Sequence, residues 1–197
     1  MKNALTSLII AVALSITTYA GGKGVEPAII PVVPVQSDTP WYIGIGMAWA
    51  QFVSNNDNCD YEDVTYGGMI RAGYEYSDYI DIEARYIYTF LEEGPFGGAP
   101  LQHVGLYLKP TLPISEEIEV YALLGYGYTK NKGNGARLNR FDDDFGFSAG
   151  MGAEYKFSKK DLEDDTEWSI FIDYQRLLIK SDIPDMDVIS LGLRMDF

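Results

Sequence analysis

The sequence predicts an all-β fold, an eight-stranded antiparallel up-and-down barrel. Three observations predict it. From residue 41 onward, large apolar residues recur at every second position with glycine or charge between them, which is the period of a strand with two unlike faces. The connections between these segments alternate between short and long, as in a meander. No helix of useful length is indicated. At 197 residues the chain is of single-domain size, and 47 % hydrophobic content is too high for disorder. A single Cys excludes a disulfide scaffold or a Cys-rich zinc site.

The elements follow in chain order. Lys2 precedes an apolar stretch from Ala4 to Ile16, interrupted only by Thr6, Ser7 and Ser15, which ends at Thr18-Tyr19-Ala20. Residues 1–20 therefore read as a signal peptide cleaved after Ala20, since the stretch is shorter than the ~20 residues of a spanning helix. The residue right after the cleavage point is Gly21, not Cys, so no lipoprotein anchor is expected. Residues 21–40 contain Pro27, Pro31, Pro34 and Pro40. Proline removes ladder N–H groups and favours extended chain, so this segment reads as a tether, periplasmic if the fold lies in an outer membrane. The barrel occupies 41–197, with strands expected at 41–53, 65–77, 79–89, 102–113, 119–129, 145–158, 167–179 and 187–197.

The third expected strand sets Ile80, Ile82, Ala84, Tyr86 and Tyr88 against Asp81, Glu83, Arg85 and Ile87. The fourth sets Val104, Leu106, Leu108, Pro110 and Leu112 against Gly105, Tyr107, Lys109 and Thr111. In the sixth, Phe145, Phe147, Ala149, Met151, Ala153, Tyr155 and Phe157 oppose Gly146, Ser148, Gly150, Gly152, Glu154 and Lys156. The last sets Ile189, Leu191, Leu193, Met195 and Phe197 against Ser190, Gly192, Arg194 and Asp196. The connections at Ser77-Asp78, Ile114 to Ile118 and Lys159 to Thr166 are the short ones. Those at the other end tend to be longer and are rich in Asn, Asp, Gly and Pro.

Alternation alone does not say which face is inside. Volume does. An eight-stranded barrel is just wide enough inside to be filled by side chains, and the apolar face, rich in Trp, Tyr, Phe and Leu, is hard to fit there. The opposite face is small or charged and includes Gly44, Gly46, Gly73, Gly105, Gly125, Gly127, Gly150, Gly152 and Gly192, which suits a narrow lumen and a strongly curved wall. Aromatics gather in two groups: Trp41, Tyr76, Tyr79, Tyr155, Phe157, Trp168 and Phe197 near the short turns, and Trp49, Tyr86, Tyr88, Tyr126, Tyr128, Phe145 and Tyr174 towards the loops. Two belts match the two water–lipid boundaries. The fold class is thus an all-β, eight-stranded antiparallel up-and-down transmembrane β-barrel.

Four stretches carry a family resemblance: Trp41-Tyr42-Ile43-Gly44-Ile45-Gly46, Gly73-Tyr74-Glu75-Tyr76, Tyr121-Ala122-Leu123-Leu124-Gly125-Tyr126-Gly127-Tyr128 and Gly150-Met151-Gly152-Ala153-Glu154-Tyr155-Lys156-Phe157. Over residues 41–197 the chain resembles the OmpA-like, or opacity-type, small outer-membrane β-barrel proteins of the porin family. The resemblance implies location in the cell outer membrane of a Gram-negative envelope, as a multi-pass barrel. It also implies an assembly signal at the end of the chain, carried by Leu191, Leu193, Met195 and Phe197 and read by the barrel assembly machinery. Met195 departs from the aromatic such signals often have.

The inward face is expected to hold a lumen charge network of Arg71, Glu75, Glu83, Arg85, Lys109, Glu154, Asp173 and Arg194, with Lys156, Asp81 and Asp196 nearby; for Asp81 and Asp196, lumen and mouth both stay open. Charges removed from bulk water must pair or cost several kcal/mol each, of order 3–5, and bases and acids here nearly balance. The network reads as a plug in preference to a gate, because wide aqueous channels need many more strands. The function expected is therefore a non-enzymatic outer-membrane barrel with a plugged or narrow charged lumen, serving envelope structure and surface-loop presentation. A narrow ion or small-solute channel, and an adhesin acting through the loops, are the alternatives.

Catalysis has little support. His103 is the one histidine, placed near the loop end of the fourth strand, and His103-Val104-Gly105 lacks the hydroxyl of the His-x-Ser pair found in barrel lipid A deacylases. Neither a triad nor a metal site can be built on it, so no cofactor and no metal are expected. The acidic run Asp57-Asn58-Cys59-Asp60-Tyr61-Glu62-Asp63 lacks the EF-hand spacing and reads as a solvated loop with Cys59 a free thiol in it; Asp142-Asp143-Asp144 reads likewise. Lys130, Lys132, Arg137 and Arg140 read as a basic loop cluster that either meets lipid phosphates or a host surface or serves ordinary solubility. The partners expected are outer-membrane lipid and lipopolysaccharide, the assembly machinery, and a host or cell-surface partner through the loops. With 15 Lys+Arg against 29 Asp+Glu, a net charge of −14 and no basic block, no nucleic-acid partner is expected.

Overall fold

A computed structural model describes residues 40–56, 59–93, 100–131, 143–157, 167–180 and 185–197. The expected signal peptide, the tether up to residue 39, and Lys132, Arg137, Arg140 and Asp142 lie outside the described residues. Every regular element among those described is a strand: β1 (Trp41–Asn56), β2 (Cys59–Ser77), β3 (Ile80–Glu93), β4 (Leu101–Pro113), β5 (Ile118–Asn131), β6 (Asp143–Lys156), β7 (Glu167–Leu177) and β8 (Asp185–Asp196).

Each strand pairs antiparallel with its chain neighbours, and β1 pairs with β8 to close the barrel. The stagger is read from one row of partners. Trp41 pairs with Tyr74, then Ile82, Leu108, Leu124, Ala149, Arg176 and Asp187, and Asp187 returns to β1 at Gln51. Gln51 lies ten residues beyond Trp41. Eight strands with that stagger tilt by roughly 40° and enclose a bore that side chains can fill. The ladder slips between Tyr66 and Gly67 and between Glu75 and Ser77 on β2. Local chemistry makes the tight ends. In the β4–β5 turn the Ser115 hydroxyl accepts the Ile118 N–H at 3.0 Å and the Ile114 N–H reaches the Ile118 carbonyl at 2.8 Å, a side chain standing in for backbone at a turn.

The burial pattern is inverted relative to a water-soluble protein. The largest fully buried side chains include Arg71, Arg85, Arg194 and Lys109, while Ile45 is 64 % and Leu106 60 % exposed. The ionised face lines the interior and the apolar face looks outward, as hydrocarbon requires. Outward aromatics stand at both ends, with Trp41, Tyr76, Tyr79 and Trp168 at one and Tyr88, Phe90, Tyr126 and Phe145 at the other.

Several strand ends differ from the sequence-based expectation: β3 runs on to Glu93, β5 takes in Lys130, and β6 starts at Asp143, so Asp143 and Asp144 lie in a strand and not in a loop. Two further differences have a local cause. The run Asp57 to Asp63 is expected as a loop, yet β1 continues to Asn56 and β2 begins at Cys59, paired as Asn56↔Cys59. Only positions 57–58 connect them. Strand formers reach the expected end of β1 (Phe52, Val53) and precede the expected start of β2 (Tyr61, Val64), and pairing carries both strands on through the residues between them. Cys59 is therefore placed at the first position of β2. At β7 the strand is expected to reach residue 179 but ends at Leu177, because Leu178 adopts φ 49°, outside the extended region.

A depth rule follows. Ile45 lies midway between Trp41 and Trp49 on the outward face, whereas Ile118 starts β5 beside a short turn. Ile45→Arg is expected to lower folding stability in lipid vesicles by about 2–4 kcal/mol and Ile118→Arg by at most about 1 kcal/mol, read from urea titrations followed by tryptophan fluorescence.

Candidate functional site: the charged lumen

The strands deliver their inward charges to one half of the bore, the half nearer the connections β2–β3, β4–β5 and β6–β7. Four cations, Arg71, Arg85, Lys109 and Arg194, meet four carboxylates, Asp81, Glu83, Glu154 and Asp173, and all eight are buried. Glu154 on β6 sits at the centre. It binds Arg71 of β2, Lys109 of β4 at 3.4 Å and Arg194 of β8 at 3.0 Å. Glu83 on β3 pairs with Arg85 on the same strand, lies 3.5 Å from Arg71 and accepts the Tyr42 hydroxyl at 2.7 Å. Arg85 reaches Asp173 across the bore at 2.9 Å, where the Tyr121 hydroxyl also donates at 3.1 Å. Lys109 completes the set on Asp81 at 3.2 Å.

Aromatic rings floor the cations. The Arg194 guanidinium lies 3.6 Å from the Tyr42 ring centroid and that of Arg71 lies 3.6 Å from Phe171; Lys109 is 4.5 Å from Tyr121. Such stacking is favourable for a desolvated cation. It also offers the Arg71 guanidinium a surface where hydrogen bonds fall short: among the described residues Arg71 Nε and Nη1, Arg85 Nη2 and Asp173 Oδ1 have no hydrogen-bond partner. The rings fit because glycine faces them. A Cβ on Gly73 would lie 2.0 Å from the Tyr42 ring, and one on Gly152 would lie 2.5 Å from Tyr121. Both glycines exist to admit the close approach of a ring to the wall.

The eight expected network residues are therefore placed together, with Glu75 at the edge: it is only half-buried and holds Arg194 at the mouth. Asp81 and Asp196, left open between lumen and mouth, are both buried, with Asp196 on Arg194 at 2.9 Å. Lys156 pairs with Glu119 at 2.5 Å, partly exposed. Leu191, Leu193 and Phe197 of the expected assembly signal point outward, and Met195 is half-buried. His103 is the third residue of β4 and is 1 % exposed, with its ring nitrogens bonded to the Thr129 hydroxyl at 2.7 Å and the Tyr107 hydroxyl at 2.6 Å. It is buried because it lies over Gly127, whose absent Cβ leaves the room. Sequence reasoning missed the roles of Tyr42, Tyr121 and Phe171; glycine on the paired position of the next strand was the available signal. It also missed that the other half of the bore is apolar, with Met69, Ile87, Leu101, Leu177 and Val188 buried there.

A closed eight-stranded wall with lipid-facing apolar residues and an ion-paired interior is the architecture of an outer-membrane barrel, and the sequence profile of the outer membrane protein beta-barrel domain matches residues 6–197. The chain belongs to this family. The outer-membrane barrel protein lies accordingly in the cell outer membrane. Its fold is similar to that of Ail, the attachment invasion locus protein of Yersinia pestis, solved with the heparin analogue sucrose octasulfate: TM-score 0.53, 19 % identity, covering 80 % of this chain and 97 % of Ail. It is similar too to Neisserial surface protein A, with TM-score 0.53, 14 % identity and coverage of 81 % and 98 %. A comparison with curated proteins found no match.

Glu154 generates the sharpest mutational expectation. Glu154→Gln removes one charge from among three cations, and breaking a buried pair from one side costs about 3–5 kcal/mol. Lys156→Gln at the mouth is expected to cost about 1 kcal/mol or less. Urea unfolding midpoints of the two variants in detergent or vesicles check the contrast.

Proposed function

We propose that this outer-membrane barrel is a non-enzymatic envelope protein whose lumen is plugged, and that it serves envelope structure and presents its connections at the cell surface. One observation carries the reading: four cations and four carboxylates, all buried, bridge the bore from β2, β3, β4, β6, β7 and β8. Ions entering such a cross-section meet charges already paired with one another, and displacing them exposes desolvated charge. The non-enzymatic reading is supported by His103, whose ring is buried and engaged at both nitrogens, out of reach of a substrate in solution or lipid. The lipid-facing belts support contact with outer-membrane lipid and lipopolysaccharide, and the outward Leu191, Leu193 and Phe197 support presentation to the assembly machinery.

Planar-bilayer recording on the folded full-length protein, its folded state verified by heat-modifiable gel migration, tests the plug. No stable ion current is expected. Sustained current whose selectivity changes in Glu83→Gln replaces the plug with the narrow-channel reading.

A further inference from the structure

The two halves of the bore differ in chemistry. Beyond the charge cluster, towards the β7–β8 connection, the interior holds Met69, Ile87, Leu101, Leu177, Leu178 and Val188 in one buried cluster. Polar side chains share this half: the Thr65 hydroxyl donates to the Thr89 hydroxyl at 3.0 Å, Thr89 Oγ1 accepts the Leu101 N–H at 2.8 Å, and His103 Nδ1 bonds the Thr129 hydroxyl at 2.7 Å.

The last turn of β7 supplies an unusual part of it. Successive residues of a strand point to opposite faces, yet Leu177 and Leu178 are both buried, Leu178 to 2 % exposure. Its φ of 49° makes this geometry. The left-handed region is disfavoured for a bulky side chain and persists only where the surroundings over-determine it. They do so here. Leu178 packs over Gly146 of β6, where a Cβ would lie 2.8 Å from Leu178 Cδ2. The next two residues fasten the segment to the same strand: the Ile179 N–H donates to the Phe147 carbonyl at 2.8 Å, and Lys180 Nζ meets Asp144 Oδ2 at 2.5 Å.

We propose that Leu177–Lys180 is a strap that latches a second, apolar seal across the loop-side half of the bore, independent of the charge cluster below it. The proposal rests on the plugged reading of the lumen. An ion crossing an apolar constriction loses hydration that nothing replaces, so this layer blocks ions even where the charged layer has been opened. The strain at Leu178 is held by the β6 contacts and is released when the strap lifts.

The test uses the full-length protein in planar bilayers, each variant first shown to fold by heat-modifiable migration. Wild type, Glu83→Ser/Arg85→Ser, and that pair combined with Leu178→Gly/Met69→Ser are compared. The charge-layer variant is expected to stay silent and the combined variant to pass ions, with current raised about tenfold or more. Leu101→Ser replaces the Leu178 and Met69 changes should they prevent folding. Conduction by the charge-layer variant alone overturns the second seal, as does a silent combined variant. A conducting wild type overturns the plugged reading itself, so the two failures are told apart. Thermal melts add a strain readout: Leu178→Gly, which accepts the left-handed backbone, is expected to melt above Leu178→Ala, and the reverse order overturns the latch.

Discussion

Hydrocarbon offers no partner to a peptide N–H or carbonyl, and that single constraint organises this protein. Each backbone group left open at membrane depth costs several kcal/mol, of order 2–7, so the sheet must close. The pairing of β1 with β8 over Tyr42↔Asp196 to Val53↔Asp185 does this. Closure with eight strands then fixes the bore, and the bore fixes what the inward positions hold.

The interior is a compromise between wall and filling. Large cations are brought inside a narrow cylinder only because each meets carboxylate oxygen or a ring face, and rings fit only where the wall lacks a side chain. Tyr42 over Gly73 and Tyr121 over Gly152 are two instances of one solution. A hydroxyl on the same rings then completes the shell of Glu83 and Asp173. The aromatic residues thus act twice, as packing and as hydrogen-bond donors, which explains how so much charge is buried with only a few polar atoms left without a partner.

The architecture was legible because its cause is periodic. Segments such as Ile80 to Tyr86 alternate without interruption, and the face assignment followed from volume together with the leader and the C-terminal stretch. The charge network was legible residue by residue for the same reason: a charge at an inward register position has nowhere else to go. What escaped lay where periodicity carries no contrast. Met69 and Val188 occupy inward positions but are apolar, so they look the same as lipid-facing residues until the register is known. The backbone reversal at Leu178 has no glycine or asparagine to announce it, and it shortened β7. The continuation of β1 and β2 to Asn56 and Cys59 was hidden by acidic residues that usually signal a loop.

The ten-residue stagger between Trp41 and Gln51 also governs how such a chain can change length. Adding or deleting one residue within β3 would rotate every later position by half a period, driving Glu83 or Arg85 into lipid and an isoleucine into the bore. Drift in length is therefore confined to the hairpin tips and turns, and the wall behaves as a fixed frame on which only the ends are free to diverge.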